Sequence, residues 1–199
     1  MIKTIAVFCV IGSPILAECP VATDLETGIA LTLQDDTVEI YRLFRPGVIE
    51  VSTDWGDGTV GKTLLGQGVY VISYYDTKNG SLVSGSRTNI SFPTSPKDMP
   101  LPVPLATSSF TTGMLASGSY SKEQLTIKWG RLSEATYGDC TYDMIPGTLT
   151  YDSEDYDHQE VVHYLPELGF GSLYSYFDDD MDEPDVAPVI AIAVSREEL

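Results

Sequence analysis

From residue 28 onward the chain alternates between short runs rich in Val, Ile, Leu, Thr and Tyr and clusters of turn residues. The runs cover 28–33, 37–44, 48–53, 69–75 and 82–84, and they resume at 108–112, 124–129, 147–151, 160–165, 171–177 and 188–194. Length and composition mark them as strands. Gln34-Asp35-Asp36, Arg45-Pro46-Gly47, Gly56-Asp57-Gly58 and Lys78-Asn79-Gly80 lie between them. These residues tolerate or demand turn backbone geometry, and Asn79-Gly80 is the strongest hairpin signal of the set. Short connections of this kind join antiparallel neighbours. No stretch before residue 120 keeps a 3.6-residue apolar period long enough for a helix.

In 37–43 one face carries Val38, Ile40 and Arg42 and the other Glu39, Tyr41 and Leu43, so the first is mostly apolar and the second mixed, as in a strand with one covered side. The run 189–194 is nearly all apolar and reads as a buried closing strand. Pro93, Pro96, Pro100, Pro102 and Pro104 exclude both helix and sheet interior, so 93–104 reads as an extended crossover. The expected fold is all-β and mainly antiparallel: one sandwich, barrel or curved half-barrel spanning 18–199 with a Pro-rich connection.

Composition changes the picture in one respect. The chain has 199 residues, 43% of them hydrophobic and 20% charged, as in an ordinary folded domain, but 29 acidic groups face 11 basic ones and the net charge is -18. Such a field repels phosphate backbones and anionic headgroups, which argues against nucleic acid or an anionic membrane surface as partner. Cations remain open.

Lys3, the apolar run 5–11 and the breakers Gly12, Ser13 and Pro14 ahead of Leu16-Ala17 have the order of a secretory signal. The apolar run is shorter than the roughly 20 residues that span a bilayer. Cleavage after Ala17 is expected, giving a chain that is not transmembrane after processing and is periplasmic or secreted. Removal of 1–17 takes away Cys9 and leaves Cys19 and Cys140, an even pair that suggests a disulfide in an exported chain. Leu16-Ala17-Glu18-Cys19 also resembles a lipidation site, but Glu18 departs from the small residue expected before such a Cys.

Candidate chemistry is sparse. There is no Gly-x-Ser-x-Gly elbow and, with Cys19 and Cys140 joined, no free mature thiol. His158 and His163 are five apart, so they do not share a strand face, and each sits among acids, where a surface histidine is the ordinary expectation. His158 and His163 with Asp155, Asp157 and Glu160 are donors suited to Zn or another divalent ion, in a spacing that matches no metal motif. The segment 152–185 holds twelve acidic residues and no Lys or Arg. Its densest part, Asp178, Asp179, Asp180, Asp182 and Glu183, would suit Ca²⁺, although it lacks the glycine and closing Glu of an EF-hand; otherwise it is a solvated loop. Nothing singles out a glycosidase-type carboxylate pair, a catalytic residue or a ligand-binding residue.

Asp54-Trp55-Gly56-Asp57-Gly58-Thr59 followed by Gly68-Val69-Tyr70-Val71-Ile72 resembles the Trp-x-x-Gly-Asp-Gly-Thr and Gly-x-Tyr-x-Val signature of PKD-type β-sandwich modules, one residue short before the turn. A tight Asp-Gly turn between strands calls for these residues in any case. Tyr137-Gly138-Asp139-Cys140-Thr141-Tyr142 and Tyr164-Leu165-Pro166-Glu167-Leu168-Gly169-Phe170-Gly171 are similar to segments of uncharacterised exported β-rich proteins of alphaproteobacteria. That resemblance implies an exported β-fold and carries no activity. The expectation is therefore an exported, non-enzymatic β-domain that binds a nonpolar ligand or a protein partner, without cofactor. A carboxylate-based hydrolase and a Ca-stabilised structural envelope protein are the alternatives. Twelve tyrosines suit a surface that contacts ligand or partner, and also cross-strand packing.

Overall fold

The computed structural model describes residues 18–153 and 157–196; the expected signal segment 1–17 and the candidate ligand Asp155 lie outside them. Among the described residues, fifteen strands form one open antiparallel sheet that is not closed into a barrel. They are β1 (Ile29–Leu33), β2 (Val38–Arg45), β3 (Val48–Gly56), β4 (Thr59–Gly66), β5 (Tyr70–Lys78), β6 (Ser81–Leu82), β7 (Thr88–Ser91), β8 (Thr107–Ala116), β9 (Ser119–Trp129), β10 (Ser133–Tyr137), β11 (Cys140–Asp152), β12 (His158–Leu165), β13 (Phe170–Asp178), β14 (Asp185–Val186) and β15 (Val189–Val194). Their order is β14-β13-β12-β11-β9-β8-β7-β5-β4-β3-β2-β1-β15, with β6 on β5 and β10 on β11. The expected all-β antiparallel class is the observed one.

The sheet is a meander, and its turns explain why. Asn79-Gly80 and Gln67-Gly68 have positive φ at both positions (50° and 76°, 49° and 71°), the hairpin geometry whose twist matches that of the flanking strands. Each expected strand run meets an observed strand, although of 82–84 only Leu82 lies in one. Four strands fall outside those runs: β4, β7, β10 and β14. Strand β4 reads Thr-Val-Gly-Lys-Thr-Leu-Leu-Gly, in which a lysine and two glycines hide the alternation. Gly61 is needed there because the Trp55 indole lies where a Cβ would stand.

The meander curls until its edges approach each other. Strands β14 and β15 are the two ends of the sheet, yet only Ala187 and Pro188 separate them. Three Cα steps reach at most about 11 Å. Both connecting residues are tied down: Ala187 donates its N–H to the Tyr174 carbonyl of β13 at 2.8 Å, and the Pro188 carbonyl accepts from Gln34 N–H beyond β1 at 2.9 Å. Inside the curl the two halves also touch. Gly171 N–H donates to Gly68 C=O at 2.9 Å, and Tyr41 stacks on Phe170 with ring centroids 4.3 Å apart.

Two apolar clusters fill the closed parts. One joins Ile29, Leu31, Tyr41 and Leu65 to Leu165 and Phe170; the other joins Tyr70, Leu125, Ile127 and Trp129 to Leu149 and Tyr164. The Pro-rich segment connects β7 to its own neighbour β8 and packs over the second cluster instead of crossing the sheet. There Met99 is buried, and Tyr70 Oη donates to the Pro100 carbonyl at 2.6 Å. Cys19 and Cys140 form a disulfide, with Cα atoms 5.6 Å apart, that joins the first described residues to β11. It closes 121 residues, for which chain entropy predicts on the order of 5 kcal/mol of stabilisation. Such a bond belongs to oxidising compartments. No helix among the described residues is long and apolar enough to cross a membrane.

Gly68 is where the halves meet most closely. Its φ is +71°, and an added Cβ would collide with the Gly169 carbonyl oxygen and stand 2.8 Å from Phe170 Cα. Gly68→Ala is expected to cost about 2–4 kcal/mol, combining a left-handed alanine with backbone overpacking. Urea denaturation checks this, and a change within about 0.5 kcal/mol would contradict the contact as the closure of the curl.

Candidate functional site

Above the Gly68–Gly171 contact the halves separate and leave a cavity of about 510 Å³, within the range of small-molecule pockets. Strands from β2 round to β13 supply its wall, and three bulges shape it. An extra residue at Ile72 lets Val71 and Tyr74 share the inner face; one at Tyr174 does the same for Leu173 and Tyr176; one at Trp55 turns the indole over Gly61. The bulges at Ile72 and Tyr174 break the strict two-residue alternation, while Trp55 stays in step with Val51 and Thr53; all three add twist to the wall. Val51, Leu65, Val69, Ile90, Met114 and Val162 complete the apolar part. Trp55 is 61% exposed and Tyr74 43%, which marks the open end.

Three carboxyls stand in this apolar wall: Glu39 from β2, Glu123 from β9 and Glu160 from β12. Burial raises the Glu39 carboxyl, the Tyr41 hydroxyl donating to it at 2.7 Å opposes the rise, and the nearby charge of Asp35 adds to it. Glu160 is pushed up to about 7, first by burial; the Tyr151 hydroxyl at 3.3 Å pulls it down and the charge of Glu123 raises it further. Burial alone raises Glu123, whose side chain makes no hydrogen bond or ion pair among the described residues. No lysine or arginine is among the described lining residues. A carboxylate deprived of water and of a counter-ion is costly, and the raised affinities for protons express that cost.

His158 also lines the cavity, stacked on Tyr151 with centroids 4.2 Å apart. Burial lowers its affinity for a proton against the opposing charges of Asp178 and Asp157. The five-residue spacing does place the histidines on opposite faces, and His163 stacks on Tyr174 at 4.4 Å away from the cavity. Both are partly buried, not the surface residues expected from their acidic surroundings, because each ring is covered by a tyrosine of the sheet.

Of the proposed metal donors, His158 and Glu160 share the cavity, while Asp157 is exposed and its carboxylate accepts the Ser153 N–H at 3.1 Å. In the densest acidic run, the Asp178 carboxylate accepts from Tyr176 Oη at 3.1 Å and from Asp180 N–H at 3.0 Å, shaping the turn after β13. Asp179, Asp180, Asp182 and Glu183 are exposed there. Among the described residues no group of three or more His, Cys, Asp or Glu side chains gathers as a metal site.

Glu39 and Glu123 were not distinguished by sequence reasoning, although a signal existed. Glu123 is in step with Leu125, Ile127 and Trp129, and Glu160 with Val162 and Tyr164, so each is an acid at an inward position. Protein-family models, curated proteins and solved structures were all compared with the chain, and none matches.

The raised Glu160 sets a pH dependence whose sign is fixed. Between about 4.5 and about 7 the folded state holds a proton that the unfolded chain has released, so stability falls as pH rises through this window. The group's share is on the order of 2–3 kcal/mol, lost between pH 5 and 8. Glu160→Gln should remove that part of the slope, being more stable than the parent at pH 8 but not at pH 4. Urea denaturation at the two pH values tests it, and an unchanged slope would show that Glu160 is hydrated.

Proposed function

We propose that the protein is a non-enzymatic binding protein of the periplasm or extracellular space that holds a small, largely apolar molecule in the cavity of its curled sheet. The observation that carries this reading is the cavity itself: about 510 Å³, walled by apolar side chains from both halves of the sheet and open at Trp55 and Tyr74. A core built only for stability would close such a space, since voids in packed interiors are small and each lost contact is destabilising. The disulfide and the expected cleavage after Ala17 support an exported setting.

Leu173, on β13, lines the cavity and is 39% exposed, so a larger residue there can enter the space without overpacking the core. The neutral fluorophore N-phenyl-1-naphthylamine is expected to bind the parent with a blue-shifted, enhanced emission at micromolar concentration, and Leu173→Trp to weaken it at least tenfold. Equal binding by both proteins would place the probe elsewhere and remove the support for this reading.

One observation favours a second reading, a carboxylate-based hydrolase: Glu160, poised at about 7, lies within electrostatic reach of Glu123 in the same cavity. A raised acid and a second carboxyl in one cavity are the parts that glycoside hydrolysis uses. That reading requires turnover of aryl glycosides that falls at least a hundredfold in both Glu160→Gln and Glu123→Gln. Absence of turnover in the parent, or its survival in these variants, counts against it.

A further inference from the structure

We propose that the cavity selects a ligand whose polar end is an ammonium group, protonated or quaternary, carried on an apolar body. This inference rests on the cavity being a small-molecule site and names the class of molecule that completes it.

The argument starts from Glu123. It is 7% exposed, it lines the cavity, and its carboxyl has no hydrogen-bond or ion-pair partner among the described residues. A carboxyl with little water around it and no protein partner is stabilised by an opposite charge brought close to it. Its carboxyl oxygens are open to the cavity and not sealed in the core, so a group that enters the cavity can pair with them. Glu160 stands within electrostatic reach of it, and Glu39 faces the same space. A neutral apolar guest would displace water from three acids and leave them worse solvated than before. An anionic guest would add a fourth negative charge to a cavity in a protein of net charge -18. A monovalent cation with an apolar tail answers both halves of the wall.

The rings agree with the acids. Trp55, Tyr151 and Tyr176 line the same cavity: Tyr176 is the cross-strand partner of Glu160, and Tyr151, one face of which is stacked on His158, donates its hydroxyl to Glu160; indole and phenol rings attract cations within about 6 Å of their faces. Carboxylates with aromatic faces, and without lysine or arginine among the described lining residues, form an environment in which an ammonium is stabilised from several directions. A bare divalent ion fits less well, because such ions require several oxygen ligands converging on one point, and no group of three or more acidic, His or Cys side chains converges that way among the described residues.

The test uses three probes with one apolar body, hexylamine (protonated at the working pH), hexan-1-ol and hexanoate, titrated calorimetrically into the processed protein at pH 8 and 50 mM salt. Hexylammonium is expected to bind at least tenfold more tightly than hexan-1-ol, and hexanoate at least tenfold more weakly. Glu123→Gln should lower the affinity for hexylammonium about tenfold and leave that for hexan-1-ol unchanged. Glu183→Gln, in the exposed acidic turn, should alter neither, which separates the cavity from general attraction of cations to an acidic surface. Hexan-1-ol binding as tightly as hexylammonium, or equal losses in the two Glu→Gln variants, would overturn the ammonium inference while leaving the cavity a ligand site. If none of the three binds and the apolar fluorophore does not bind either, the site itself is refuted and the inference falls with it.

Discussion

The two residues between β14 and β15 carry the geometry of the whole molecule. A meander of this length can lie open and twisted, but here its opposite edges are joined by Ala187 and Pro188, whose backbone groups bond to β13 on one side and to Gln34 beyond β1 on the other. The sheet must therefore curl. Gly171 meets Gly68 across the interior, and the cavity lies beyond that contact. The cavity is thus a consequence of where the backbone closes, and the side chains set the chemistry of its lining.

Tightly curved sheets need places where the ladder yields. Extra residues at Trp55, Ile72 and Tyr174 supply them, and each lies where a large side chain is turned toward or away from the cavity. Curvature and site chemistry are therefore coupled: removing the bulge at Tyr174 would move Leu173 or Tyr176 to the opposite face and straighten β13 in the same step. Stability is held elsewhere. The disulfide and the first apolar cluster secure one part of the curl, and Met99 with the Tyr70–Pro100 hydrogen bond covers another. With these parts fixed, the wall between them can carry buried acids without unfolding.

The fold class was legible because its signals are local. Asn79-Gly80 marks a hairpin whatever surrounds it, and runs such as 48–53 are rich enough in Val, Ile and Thr to read as strands. The curl was not legible, since it depends on bulges and on the pairing of β1 with β15, residues more than 150 positions apart whose relation no short pattern encodes. Proline density marked 93–104 as a connection, but neither the 3-10 turn at Pro96–Asp98, which a proline at its first position tolerates, nor the return to the adjacent strand was legible. The site was half-legible. In 37–43 the face with Glu39 and Tyr41 looked mixed, and it is the face that meets the cavity, because the Tyr41 hydroxyl makes the acid tolerable there. In the dense acidic run at 178–183 the side chains are mostly exposed and Asp178 shapes a turn. Isolated acids in step with apolar residues carried the information, not the clusters.

That distinction has a physical basis. Acids on the surface cost little, and a run of them reports on solubility and net charge more than on any particular ligand. An acid at an inward strand position works against folding at every pH where it is ionised, and Glu160, held near 7, shows the size of that opposition. Glutamine has nearly the same shape and would remove the charge, while leucine would fill part of the space. Three such positions facing one cavity, with Glu123 lacking any protein partner among the described residues, form a pattern that stability alone does not account for. The proposed ammonium ligand would compensate these acids, whereas an internal lysine or arginine would satisfy the carboxyls permanently and leave nothing for a ligand to complete.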